Sequence, residues 1–161
     1  MQIFQKRLDD FFKWVKGTEL VLLEDIDVSE DPVRPELTLE WRKDYGRQIF
    51  GLKYENSIEG IICVAYTNDV PESVRELDLM SQNASMKDDA SIAVAYTVWS
   101  RKRGAGKEII HKLYNHLNKN KKIQRVVTLS PLTPMATHFH IRNGAKLIKH
   151  NPNTQNFEYE I

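Results

Sequence analysis

The chain has 161 residues, 41% of them hydrophobic and 28% charged, with a formal charge of +1. That length suits one domain, residues 1–161, able to bury roughly 70% of its unfolded surface without disulfides or metals. The near-neutral charge gives no global reason to bind nucleic acid or an anionic membrane.

The start, MQIFQKRLDDFFKW, has no apolar signal core, and no stretch approaches a membrane span. The single cysteine, Cys63, lies in an apolar run and cannot close an internal disulfide. The expectation is a cytoplasmic protein with Cys63 in its core. Residues 2–16 carry Ile3, Phe4, Leu8, Phe11, Phe12 and Val15 at helical spacing, and Gly17 ends the run. TELVLLED predicts a short strand. From Glu24 to Asp31 five acids stand with no base, then Pro32 and Pro35 follow. This reads as a solvated loop leading into a helix, PELTLEWRKDYG.

RQIFGLKYE and SIEGIICVAYT, parted at Asn56–Ser57, predict an antiparallel hairpin. PESVRELDLM predicts a helix with Pro71 in its first turn, and SQNASMKDD a polar loop. ASIAVAYTVWS, residues 90–100, is a strong strand. RKRGAGKEIIHKLYNHLNKNKK opens on glycines, then sets Ile109, Ile110, Leu113 and Leu117 on one helical face. QRVVTLS predicts a strand, PMATHFHIRNG a helix, AKLIKH a strand and NFEYEI a terminal strand. Without repeats or linkers, the sum is one mixed α/β domain of the α+β kind.

The loop Arg101-Lys102-Arg103-Gly104-Ala105-Gly106-Lys107 joins a strand to an amphipathic helix. Glycines let backbone N–H groups approach a phosphate, and a helix N-terminus adds partial positive charge. The bland alternative is a tight turn with a solvated basic face. The spacing is neither the dinucleotide G-x-G-x-x-G nor a Walker loop. It resembles the R/Q-x-x-G-x-G/A signature of the GCN5-related N-acetyltransferase (GNAT) superfamily, and the order of elements agrees. That resemblance implies a mixed central sheet flanked by helices. It also implies that Arg101, Arg103, Gly104, Ala105 and Gly106 hold the pyrophosphate of coenzyme A, while the backbone of Val98 and Trp99 meets the pantetheine arm.

Gly144 is the expected end of the last helix, because glycine takes the left-handed conformation there without penalty. His140, four residues earlier, stands where the superfamily often has a tyrosine that protonates the departing thiolate. Phe139-His140-Ile141-Arg142-Asn143-Gly144-Ala145 and Thr128-Leu129-Ser130-Pro131 are similar to two motifs of the malonyl-CoA decarboxylase family, whose catalytic domain is GNAT-like. That likeness implies a catalytic pair, Ser130 and His140, acting on a coenzyme A thioester such as acetyl-CoA or malonyl-CoA. Imidazole, with an ordinary pKa near 6.5, exchanges protons at neutral pH. His138, His111 and His116 read as structural or solvated, Arg142 and Asn143 as capping, and no spacing points to a metal.

The resemblance leaves out that family's separate helical domain, a long insertion between the two motifs and an aromatic segment near the C-terminus. Three functions therefore stand side by side: a decarboxylase-like acyl-CoA enzyme, an N-acetyltransferase with an amine acceptor, and a coenzyme A-binding module without turnover. An amine would need an acceptor cleft, and the acidic Glu24–Asp31 segment could line one. Nucleic-acid binding ranks last, because the basic residues of 101–125 have few aromatics between them for stacking.

Overall fold

In the computed structural model, which describes residues 2–160, a long apolar hairpin organises the rest of the chain. Strands β2 (Gln48–Tyr54) and β3 (Ser57–Thr67) pair antiparallel, and β3 is buried continuously over residues 60–65. A strand apolar on both faces needs cover on both sides. Helix α4 (Ala105–Asn118) covers one face with Ile109, Leu113 and Leu117, packed on Phe50, Ile62 and Val64. Helix α3 (Val74–Lys87) covers the other with Leu77, against Ile61, Cys63 and Ala65.

Around this hairpin stand β1 (Thr18–Leu22), β4 (Ile92–Ser100), β5 (Arg125–Thr128), β6 (Ser130–Pro131), β7 (Lys146–His150) and β8 (Thr154–Tyr159). The sheet runs β1-β2-β3-β4-β5-β8-β6, with β7 also on β8, and among the described residues only β4 and β5 pair in parallel. Helices α1 (Gln2–Gly17), α2 (Leu39–Lys43) and α5 (Pro134–Arg142) complete the fold. Among the described residues no helix is long and apolar enough to cross a membrane. Of the expected terminal strand, Ile161 lies outside the described residues.

Five expectations need correction. SQNASMKDD is not a polar loop: α3 runs through it to Lys87, because one of its polar residues is internal. The buried Ser81 hydroxyl donates to Leu77 O at 2.6 Å and accepts from Arg47 Nε at 3.0 Å, and Asp88 ends the helix at a φ of 51°. Pro71 lies ahead of that helix, which Ser73 caps by accepting from the Glu76 amide. The helix expected over 35–46 shrinks to α2, capped by Thr38. QRVVTLS is also not one strand, since β5 stops at Thr128 and Ser130–Pro131 forms a separate strand that keeps the pairing with β8 but not that with β4.

The acidic segment departs most. Asp31 is buried, not solvated, and forms a 2.7 Å ion pair with the equally buried Arg42. Its Oδ1 accepts from the amides of Val33 and Arg34 and from Thr97 Oγ1. A buried carboxylate is tolerated only when paired and hydrogen-bonded in this way.

Candidate active site

The site lies where β4 and β5 part. The two pair over Ile92–Ala95 and Arg125–Thr128, and the Leu129 amide adds one more bond to Ala95 O at 3.0 Å. Beyond that point β4 continues to Ser100 on β3 alone, while β6 turns to β8. A bulge at Tyr96, opposite the Cys63/Val64 step, marks the fork. Between the diverging strands and α5 opens an apolar cleft of about 230 Å³. Val98, Thr97 and Ser100 of β4 line it, with Ser130, Pro131, Phe139 and His140 opposite.

His140 reaches this cleft because the end of α5 is fixed. The Ala145 amide donates to His140 O at 3.0 Å and the Gly144 amide to Ile141 O at 3.1 Å, with Gly144 left-handed at φ 97°. These paired bonds are a Schellman motif, which anchors the backbone of His140 itself. Its side chain is 6% exposed, and Nδ1 lies 2.8 Å from the Tyr159 hydroxyl. Burial lowers the imidazole pKa to about 4. At neutral pH the ring is therefore uncharged, with one nitrogen a donor and the other an acceptor. The ordinary value near 6.5 does not apply.

Ser130 lines the same cleft, yet no hydrogen bond joins it to His140 among the described residues. Its hydroxyl donates to Thr128 Oγ1 at 2.8 Å, and that oxygen also accepts from the Phe157 amide at 3.0 Å. Serine and histidine thus share a space while each leans on a different partner of the sheet.

The glycine loop adjoins this space through α4. Gly104 is left-handed at φ 89° and caps α4 without a side-chain bond. The amides of Gly104, Gly106 and Lys107 find no acceptor among the described residues, as expected of a first helical turn. Gly106 is glycine for another reason: a Cβ there would stand 2.9 Å from the Phe139 ring of α5. Ala105 is buried. Two of the loop cations are already engaged. Arg101 pairs with Glu30 at 2.7 Å, and the Lys102 ammonium lies over Trp14, 4.7 Å from the ring centre. Arg103 is exposed. Val98 lines the cleft, whereas the Trp99 side chain packs in the opposite core beside Ile61.

No protein-family model and no curated protein sequence matches the chain. Solved structures do. A malonyl-CoA decarboxylase from Rhodopseudomonas palustris superposes with a TM-score of 0.70 at 15% identity, over 97% of this chain and 64% of that one. One from Agrobacterium vitis gives 0.69 at 15% identity, over 91% and 61%. A Bacillus subtilis acetyltransferase in complex with CoA gives 0.62 at 8% identity, over 89% and 99%. The fold is GNAT-like.

The chain spans less than two thirds of each of those two decarboxylase chains. Within the GNAT-like fold, the fork between β4 and β5 is the one break in the parallel pairing, and Ser130, His140 and Val98 converge on it. Among the described residues no Asp or Glu, of the acidic segment or elsewhere, lines this cleft. Asp31 is buried, Glu30 holds Arg101 and Asp27 caps a short 3-10 turn. Nor do the described residues contain a cluster of three or more His, Cys, Asp or Glu suited to a metal.

Sequence reasoning missed Tyr159, Thr128 and Arg34. Tyr159 had a signal, since Phe157 and Tyr159 alternate and so share one face of β8. Arg34, between Val33 and Pro35, had none.

Proposed function

We propose that the chain is an acyl-CoA enzyme that acts on a short acyl thioester such as malonyl-CoA, by decarboxylation or transfer. One observation carries this: Ser130 and His140 line a single apolar cleft at the strand fork, beside a helix start with unpaired amides. The pyrophosphate of coenzyme A fits the start of α4, where amides and the helix dipole favour an anion. The pantetheine arm runs along Val98, and the acyl group enters the cleft.

In decarboxylation the bond from the carboxylate carbon to the adjacent carbon breaks and carbon dioxide leaves. The electron pair moves through the adjacent carbon onto the thioester oxygen as an enolate, and that adjacent carbon then takes a proton from water to give acetyl-CoA. Donors aimed at the developing oxyanion lower the barrier. The Ser130 hydroxyl supplies one after rotating away from Thr128. A neutral His140 supplies another from Nε2 if Tyr159 donates to Nδ1, and a neutral imidazole is suited to this electrophilic role.

Incubating the protein with a panel of acyl-CoAs, read by mass, tests the proposal. Acetyl-CoA and carbon dioxide from malonyl-CoA support it. An acylated amine with free thiol selects conventional acetyl transfer, and binding without turnover selects a coenzyme A-binding module.

A further inference from the structure

Where β4 and β5 diverge, two backbone carbonyls are left without a strand donor. Arg34 serves both. Its Nε donates to Tyr96 O and its Nη2 to Leu129 O, each at 3.0 Å. The guanidinium is a crosspiece between the strands, taking the place of ladder bonds where the ladder stops.

The crosspiece is rigidly mounted. The Arg34 amide donates to Asp31 Oδ1 at 3.0 Å, and its carbonyl accepts from Arg42 Nη2 at 2.7 Å. Arg34 is only 8% exposed, and Pro32 and Val33 of the same loop form a wall of the cleft. Its two bonding partners, Tyr96 and Leu129, are cleft residues too.

Charge makes this arrangement informative. The buried cluster holds two guanidinium groups, Arg34 and Arg42, against one carboxylate, Asp31, and so carries a net positive charge. Glu36 acts on Arg34 more strongly than Asp31 does, but it is exposed, so water and salt screen its field more than that of the buried guanidinium groups. A buried charge is screened far less. No acidic side chain among the described residues lines the cleft to offset it.

We propose that Arg34 is a positioning and specificity-determining residue: it fixes the spacing of β4 and β5 at the fork, and its charge, only partly offset by Asp31 and Glu36, makes the cleft favour an acyl group bearing a carboxylate over a neutral one. It acts through Tyr96 and Leu129 and through its field, without touching the substrate. The role rests on the acyl-CoA function proposed above.

Calorimetric titration with malonyl-CoA, acetyl-CoA and free coenzyme A tests it, on wild type, Arg34→Gln and Arg34→Lys. Wild type is expected to bind malonyl-CoA at least about tenfold more tightly than acetyl-CoA. Arg34→Gln, without the charge, brings that ratio near one, over and above any loss of affinity that the missing crosspiece imposes on all three ligands alike. Arg34→Lys, which keeps the charge but loses the fork, gives an intermediate ratio. A merely structural role would change all three affinities by one factor and leave the malonyl-CoA to acetyl-CoA ratio as in wild type, and that result overturns the inference. So does a wild type with no preference for malonyl-CoA, whether or not the variants fold. Failure of coenzyme A and both thioesters to bind overturns the acyl-CoA function itself, and the role of Arg34 with it.

Discussion

The Tyr159 hydroxyl lies 2.8 Å from His140 Nδ1, and both side chains are almost wholly withdrawn from water. A neutral imidazole held on one side by a phenol has its other nitrogen's role set for it. Tyr159→Phe keeps the ring and removes only that bond. Turnover is expected to fall about tenfold with KM nearly unchanged, as for loss of a single donor interaction felt mainly in the transition state. Steady-state kinetics, with the imidazole nitrogen shifts by NMR, provide the check; a changed KM at constant kcat contradicts it.

The low pKa of His140 makes stability depend on pH in a definite direction. Its folded value is about 4 against an ordinary 6.5. Between those values the unfolded chain binds a proton at this ring that the folded chain does not, so stability falls as the pH drops through that window. The full loss approaches roughly 3 kcal/mol. Denaturant melts at pH 7, 5 and 4 should show that slope in wild type and a shallower one in His140→Gln.

Ser130→Ala separates the two reactions. A hydroxyl that meets charge only as carbon dioxide leaves should matter more for turnover than for binding. Decarboxylation of malonyl-CoA should fall about 10²-fold or more, with thioester affinity little altered. Release of labelled carbon dioxide measures it. In an ordinary acetyl transfer the same change has little effect.

The anion site needs a paired test, because Gly104 is left-handed and any side chain there is strained by about 1–2 kcal/mol. Gly104→Ala carries the strain alone, while Gly104→Asp adds a carboxylate where the pyrophosphate is expected. Titration with coenzyme A should show Asp weaker than Ala by about tenfold or more, roughly 1.4 kcal/mol. Equal affinities remove the pyrophosphate from this loop.

The hairpin, β4, α4 and the end of α5 were readable from the sequence, because apolar periodicity and glycine stops report local geometry. Gly144 and His140 belong to that class. The continuation of α3 through Ser81 was hidden, since nothing local shows that a distant arginine, Arg47, will satisfy an internal serine. Asp31 was hidden likewise: its partner Arg42 sits in another element, and an acidic run reads as solvated until a cation is folded onto it. The point at which the strand leaves β4 also escaped, because QRVVTLS has unbroken strand character. Both halves of it pair with β8 from far along the chain, but only Arg125–Thr128 also pairs with β4.

The two glycines of the basic loop obey different laws. Position 104 is chiral in its demand: its backbone torsion suits a mirror-image residue, so D-alanine introduced by chemical synthesis should be accepted there. Position 106 makes no such demand but lies against the Phe139 ring, next to His140 on α5. A methyl group of ordinary handedness is refused there for want of room. Trimming the aromatic ring to leucine should make alanine tolerable at 106 and do nothing for 104. What a sequence writes twice with one letter is, in the folded molecule, one torsion and one gap.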